Sequence, residues 1–188
     1  MRKTLGLLVG CSTLLVHGAT GEVVVDFEQA KVGARQTEWV EQGVTFKLAH
    51  SPVQTKAAGK VTFFPHLETG HKGILNAMAM EPIAVEARFP GVVSAVTLVL
   101  WGSTGCAAKL EAFDAQGQSL EVVGLDKVPQ RAAPGDPVPM FELKVSKPGI
   151  ASVRFSGPRG GEFLAADEVR FTPDSRSDLK SLAGTGTP

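Results

Sequence analysis

Two histidines and a glutamate lie close together in the segment His66-Leu67-Glu68-Thr69-Gly70-His71. Imidazole nitrogens and carboxylate oxygens are ligands for zinc and other transition metals. The spacing matches no closed set of zinc ligands, and no Pro-Cys-x-x-Cys follows the His-x-Glu as it does in zinc deaminases. We therefore interpret the segment first as a polar loop whose histidines cap backbone groups or contact a ligand. A metal site, which His50 would join if the fold brings it close, is the alternative.

Asp167 is the most unusual polar residue, because alternation along a strand over 163–171 places it on one face with Phe163, Val169 and Phe171. A carboxylate buried there without a partner would be destabilising by several kcal/mol. We expect either a β-bulge that turns Asp167 outward or a partner, namely a cation, a cluster of backbone amides or a basic side chain. The simplest case is a hydrogen-bonded or solvated carboxylate at a strand end.

Aromatic platforms and nucleophiles are scarce. Trp39 and Trp101 are the only tryptophans and there is no tyrosine, which counts against a dedicated polysaccharide-binding module. Trp101 is predicted to lie in the core, whereas Trp39 suits core packing and a surface site equally well. Cys106 is predicted to be a small buried side chain at a strand start rather than a reactive thiol, and no Gly-x-Ser-x-Gly motif precedes it. The sequence therefore favours a protein without catalytic activity.

The elements that must position these residues are predicted to be short antiparallel strands. Apolar side chains occupy every second position over 44–48, 141–145 and 151–155, whereas Val92 to Trp101 is apolar on both faces. Further strands are predicted over 22–28, 59–64, 74–80, 83–89, 107–113, 119–125 and 163–171. Glycine- and proline-rich turns separate several of them, and a loop with four prolines over 128–139 is predicted to lie over one end of the domain. The fold class is therefore all-β, an antiparallel β-sandwich or jelly roll with little or no helix.

The first 21 residues are predicted to be a signal peptide. Arg2 and Lys3 precede an apolar run from Leu5 to Val16, and cleavage would release a chain that begins near Thr20 or Glu22. The alternative is a lipoprotein box, Leu8-Val9-Gly10-Cys11, in which Cys11 is acylated. We expect a secreted or periplasmic protein, with a lipid anchor through Cys11 as the alternative.

The composition of the chain after the signal peptide limits the kinds of protein and partner that are expected. Residues 22–173 are predicted to form one domain, followed by a polar, disordered tail over 174–188. Only Cys106 remains after cleavage, so no internal disulfide is expected. The 19 basic side chains balance the 19 acidic ones, which disfavours a nucleic-acid partner, and no later apolar run is long enough to span a membrane.

Several short motifs carry a resemblance to a known class of domain. They are Val-Asp-Phe-Glu (25–28), Trp-Val-Glu-Gln-Gly-Val-Thr-Phe (39–46), Val-Thr-Leu (96–98), Leu-Glu-Ala-Phe-Asp-Ala-Gln-Gly (110–117), Val-Arg-Phe-Ser-Gly (153–157) and Asp-Glu-Val-Arg-Phe (167–171). In this order they resemble secreted bacterial β-sandwich domains, which are similar in outline to galactose-binding-like and carbohydrate-binding jelly rolls. The resemblance covers most of residues 23–172 and implies a sandwich that binds a glycan or another component of the cell envelope.

The resemblance also implies a calcium site, because the first and last strands of such domains often lie side by side and hold the ion. It assigns Asp167 to this site with Asp26 or Glu28. No other cofactor is expected.

The expected function is that of a secreted, non-enzymatic domain that binds its ligand through loops at one end of the sandwich. The expected ligand-binding residues are Trp39, His66, Glu68, His71, Asn76 and Arg159. The alternatives are a metal-dependent hydrolase built on His66, Glu68 and His71, and a structural protein of the envelope or matrix.

Overall fold

The computed structural model describes residues 21–49, 59–77, 83–102, 106–157 and 163–174 of the 188-residue chain. Residues 1–20 of the predicted signal peptide, which include Cys11, lie outside the described residues, as do His50, Arg159 and the tail beyond Asp174. Within these ranges the chain forms strands and turns and no helix, so no helix there could cross a membrane. The strands are β1 (Val23–Val25), β2 (Arg35–Gln36), β3 (Trp39–Glu41), β4 (Val44–Leu48), β5 (Val61–Pro65), β6 (Lys72–Asn76), β7 (Val85–Gly102), β8 (Ala108–Phe113), β9 (Ser119–Leu125), β10 (Phe141–Val145), β11 (Ile150–Ser156) and β12 (Leu164–Pro173).

Every strand pairing among these elements is antiparallel, and the long strand β7 takes part in both layers of a sandwich. The first part of β7 pairs with β4 and β11, in a first layer ordered β3-β4-β7-β11-β8-β9. Its later part pairs with β10 and β12, in a second layer ordered β2-β5-β6-β12-β7-β10, with β1 also beside β12. The all-β sandwich predicted from alternation is therefore confirmed.

The strands predicted separately over 83–89 and from Val92 to Trp101 are one strand of 18 residues. The chain passes Pro90 and Gly91 without reversing, and the register with β11 shifts there, between the pairs Ile150–Val93 and Ser152–Arg88. A bulge of this kind bends a strand and increases its twist, which lets β7 continue from one layer into the other. The short strands β2 and β3 were not predicted, because two or three residues carry no usable alternation.

The main core lies between the layers. Its centre is aromatic: the ring of Phe27 lies 5.0 Å from that of Phe46 and 6.2 Å from that of Phe63. Phe27 has a positive φ of 58°, which is unfavourable for a bulky side chain. Its backbone N–H donates to Oε1 of Glu41 at 3.3 Å, and this bond together with ring burial holds the conformation.

A smaller apolar cluster lies on the outer face of the second layer and consists of Leu75, Trp101 and Ala165. Their strand neighbours Ile74, Leu100 and Ala166 point the opposite way into the main core, as strand alternation requires. Val138 of the proline-rich loop, Met140 directly after that loop, and Phe163 pack against this cluster. The loop thus covers part of the outer face of the second layer.

Candidate functional site

The loop that carries both histidines closes the hairpin of β5 and β6. The backbone N–H of His66 donates to the carbonyl of His71 at 2.7 Å, and that of Gly70 donates to the carbonyl of His66 at 2.9 Å. Gly70 has a φ of 75°, a conformation that glycine adopts without steric cost. Backbone hydrogen bonds therefore fix the conformation of the loop that carries His66, Glu68 and His71.

His66 is buried, and both of its ring nitrogens contact backbone groups. Its Nε2 lies 3.0 Å from the carbonyl oxygen of Val138, which can only accept, so Nε2 carries the proton in this arrangement. Nδ1 then accepts from the N–H of Thr69 at 3.3 Å. The ring also stands edge-on to Trp101 at 5.2 Å. His66 therefore serves to join the hairpin to the proline-rich loop.

Glu68 makes a second link between these two loops. Nη2 of Arg131 donates to its Oε1 at 3.0 Å, and its Oε2 lies 3.4 Å from Nδ1 of His66. Because both the His66–Val138 and the Glu68–Arg131 contacts join the same two segments, the loops at this end of the second layer hold one another in place. Arg131 was not among the predicted site residues.

Asp167 occupies a bulge in β12. Ala166 pairs with Leu100 and Glu168 pairs with Val99, so Asp167 is the extra residue between them. The bulge shifts the alternation, and this is why both Ala166 and Val169 reach the main core. Asp167 is nevertheless buried rather than turned to solvent. The expected bulge is present, but it does not turn the carboxylate outward.

The partner of Asp167 is a basic side chain, since its Oδ2 lies 3.6 Å from Nδ1 of His71. Its Oδ1 is buried and has no hydrogen-bond partner among the described residues. Burial raises the pKa of Asp167, and the opposing effect of the His71 side chain does not cancel it. The unfavourable free energy of burying this carboxyl group is therefore only partly offset by His71.

The three carboxylates proposed for calcium are not gathered into one site. The first and last strands do lie side by side, with Val25 opposite Val169. However, Oδ1 of Asp26 accepts from the N–H of Glu28 at 3.1 Å, whereas Oε1 of Glu28 accepts from the N–H of Lys72 at 3.0 Å. In the part of the chain that the structure describes, no group of three or more His, Cys, Asp or Glu side chains could hold a metal. The described geometry thus supports neither the calcium set nor a metal set from His66, Glu68 and His71.

Trp39 and Asn76 stand apart from the histidine loop. Trp39 is half-buried; its Nε1 donates to Oε2 of Glu41 at 2.9 Å, and its ring packs edge-on against Phe63 at 5.0 Å. Trp101 is buried, as predicted, and so is Cys106. Asn76 donates from Nδ2 to the carbonyl of Ile83 at 3.1 Å.

A groove of about 310 Å³ lies beside Asn76 on the outer face of the second layer. The residues that form it, hereafter the aromatic groove, include Arg35, Thr62, Phe64, Leu75, Asn76 and Phe163. Phe64 is 49% exposed, and its ring stands edge-on to that of Phe163, with the ring centres 6.1 Å apart. Phe163 in turn packs on Trp101 at 4.8 Å, so an aromatic row connects the groove to the cluster beneath the proline-rich loop.

A second cavity of about 310 Å³ on the first layer is lined by Arg88, Phe113 and Arg154, among others. Both arginines contact the buried Glu86, at 3.2 Å and 2.8 Å, and the guanidinium of Arg154 lies 4.4 Å from the centre of the Phe113 ring. Burial alone would raise the pKa of Glu86, but the hydrogen bonds and charges of Arg154 and Arg88 outweigh it and lower the pKa. The charged groups here already satisfy one another, which leaves the aromatic groove as the better candidate.

Three residues of the groove were not predicted as site residues: Phe64, Phe163 and Arg35. One signal was available: Val61 and Phe63 alternate with Thr62 and Phe64, so a large aromatic side chain occupies the face opposite the core. Arg35 could not be found this way, because it reaches the groove only through the pairing of β2 with β5.

No protein-family model matches the chain, and no curated protein matches it by sequence. Among solved structures, the K1 cleaved adhesin domain of Lys-gingipain from Porphyromonas gingivalis W83 is 12% identical; the match covers 82% of this chain and 99% of that domain, with a TM-score of 0.52. TmCBM61 in complex with β-1,4-galactotriose is 12% identical over 69% of this chain and 88% of its own, with a TM-score of 0.43. A carbohydrate-binding module from Cellvibrio mixtus lichenase 5A in complex with cellotriose is 12% identical over 69% of this chain and 96% of its own, with a TM-score of 0.37. At such identities a likeness concerns the fold alone, and the adhesin domain supports the β-sandwich that the motifs predicted.

Proposed function

We propose that the protein is an exported, non-enzymatic binding domain that recognises a glycan or another component of the cell envelope through the aromatic groove. The main support for this proposal is the position of Phe64. This residue is half-exposed and lies beside Phe163 in a groove that also contains Arg35 and Asn76. Aromatic rings offer flat apolar surfaces, and a few polar groups around them fix the orientation of a bound ligand. A sugar ring has both an apolar face and hydroxyl groups that match this arrangement.

The groove should bind its ligand without rearrangement of its own side chains. Phe64 lies on β5, which is paired with β2 on one side and with β6 on the other. The contacts of its ring with Phe163, and of Phe163 with Trp101, restrict the aromatic side chains from below. A site built on paired strands loses little conformational entropy when the ligand binds.

Export is the part of the proposal that rests on sequence. The basic residues Arg2 and Lys3 and the apolar run from Leu5 to Val16 have the order of a secretory signal. Export would bring the groove to the compartment in which envelope glycans are found.

The test is to compare the wild-type chain with Phe64→Ala on a glycan array that includes envelope polysaccharides, followed by calorimetry on each glycan that binds. Loss of the ring should weaken binding by about tenfold or more, since an aromatic contact contributes about 0.5–1.5 kcal/mol beyond its buried area. Val122→Ala is the matched control, because Val122 is 53% exposed on β9 of the other layer.

Equal binding by the wild type and Phe64→Ala would remove the groove as the binding site. A complete lack of glycan and envelope ligands would remove the proposed function and would favour the structural alternative.

A further inference from the structure

Arg35 differs from the other arginines in the described part of the chain in having no acidic partner. Each of the others contacts a glutamate: Arg88 and Arg154 contact Glu86, Arg131 contacts Glu68, and Arg170 contacts Glu142 and Glu168. Arg35 is exposed, and neither an ion pair nor a side-chain hydrogen bond engages it among the described residues. Its guanidinium is therefore available to an external anion.

The position of Arg35 directs this charge to the groove. Arg35 stands opposite Thr62 in the pairing of β2 with β5, and residues opposite each other project from the same face of a sheet. Thr62 and Phe64 alternate with the core residues Val61 and Phe63, so this shared face is the outer one. The groove wall accordingly places a cation beside an exposed aromatic ring.

Among the described residues that line the groove, the only charge is positive. Arg35 is the only charged residue among the described residues that line it, and no carboxylate does so. The exposed Lys60 lies next to the groove residue Ala77, whose N–H donates to the Lys60 carbonyl at 2.9 Å. Among the described lining residues, an anionic ligand would be attracted by Arg35 and repelled by no carboxylate.

We infer that the ligand of the aromatic groove is an acidic glycan, whose sugar ring packs on Phe64 and whose carboxylate is bound by Arg35. This inference rests on the proposed function. The guanidinium is planar and can donate two parallel hydrogen bonds to the two oxygens of one carboxylate. A uronic acid carries such a carboxylate directly on its pyranose ring, close enough for both parts of the groove to act on one sugar unit.

The experiment uses trigalacturonate and its methyl ester, which have the same rings and linkages but differ in charge. Calorimetry on the full-length processed protein should show the wild type binding the acid about tenfold or more tightly than the ester, with the difference falling as salt is added. Arg35→Gln should remove the preference for the acid, so that this variant binds the acid and the ester with similar affinities. Lys147→Gln, an exposed residue in the turn between β10 and β11, makes the same change in net charge away from the groove and should keep the preference.

The inference is overturned if the wild type binds acid and ester equally, if it binds neither, or if Arg35→Gln keeps the preference. A failure of the proposed function looks different, because no glycan of any charge would then bind in a manner that depends on Phe64. Thermal unfolding of each variant shows whether a loss of binding reflects the site or the fold.

Discussion

The Nδ1 atom of His71 lies 3.6 Å from the Oδ2 atom of Asp167, so an imidazole that is 59% exposed stands over a carboxylate that is 3% exposed. The second oxygen of this carboxylate is buried without a hydrogen-bond partner among the described residues. A buried polar atom of this kind opposes folding unless it is compensated. The titration of Asp167 should therefore change the stability of the protein measurably as the pH changes.

The Asp167→Asn variant should become more stable relative to the wild type as the pH rises. Burial raises the pKa of Asp167 above its ordinary value of 3.8, so the folded state holds this proton more tightly than the unfolded state does. The stability of the wild type then falls as the pH rises from 3.8 through the pKa of the folded protein, whereas asparagine stays neutral throughout. Urea unfolding at a series of pH values measures the difference. The exposed Asp126→Asn is the control, and a difference between Asp167→Asn and the wild type that does not change with pH would contradict the prediction.

The stability of Glu86→Gln relative to the wild type should change with pH in the opposite direction, so that the variant becomes relatively less stable as the pH rises. The pKa of Glu86 is lowered despite its burial, because Arg154 and Arg88 stabilise the charged form. The stabilisation is complete above the ordinary value of 4.5 and is lost as the pH falls through the pKa of the folded protein. Hydrogen bonds to charged groups contribute roughly 1.5–3 kcal/mol, so the variant should lose about that much at neutral pH and little in acid. Glu38→Gln, at an exposed position, gives the comparison, and an equal loss at every pH would show that the charge is not the cause.

Gly73→Ala should lower the free energy of unfolding by about 1–3 kcal/mol, the usual effect of adding a methyl group to a packed region. A Cβ atom at position 73 would lie 3.0 Å from Nε1 of Trp101 and 3.1 Å from both Cβ of Ala165 and the carbonyl of Ala166. Chemical denaturation provides the measurement. Gly91→Ala is the matched control in a strand, because a Cβ there meets no atom within 4 Å. If the two variants were equally stable, the close packing of β6 under Trp101 would be in doubt.

Intact-mass analysis of the exported protein should give a chain that begins near Thr20 or Glu22. The apolar run from Leu5 to Val16 is typical of a signal peptide, and small residues at Ala19 and Gly21 suit the peptidase. Cys11→Ala should leave processing and release unchanged. A mass that shows an acylated Cys11 as the first residue would establish the lipid-anchored alternative.

Much of the fold followed from local patterns. The alternation of Val44, Phe46 and Leu48 with polar residues predicted a strand whose buried face the structure confirms for Val44 and Phe46. The same reasoning could not show that the strand over 83–89 continues into Val92–Trp101, because a bulge that replaces a turn depends on which strands pair alongside.

For the candidate site, the sequence was sufficient to predict a polar loop that carries His66, Glu68 and His71, and to predict that Asp167 needs a bulge or a partner. The identity of the partner follows from the tertiary structure, because His71 lies in the loop between β5 and β6, Asp167 lies on β12, and the two meet through the pairing of β6 with β12. The aromatic groove was decided in the same way, since Arg35, Phe64 and Phe163 come from three separate segments. Alternation fixes the face of a strand on which a side chain lies, but long-range strand pairing determines which side chains share that face as neighbours.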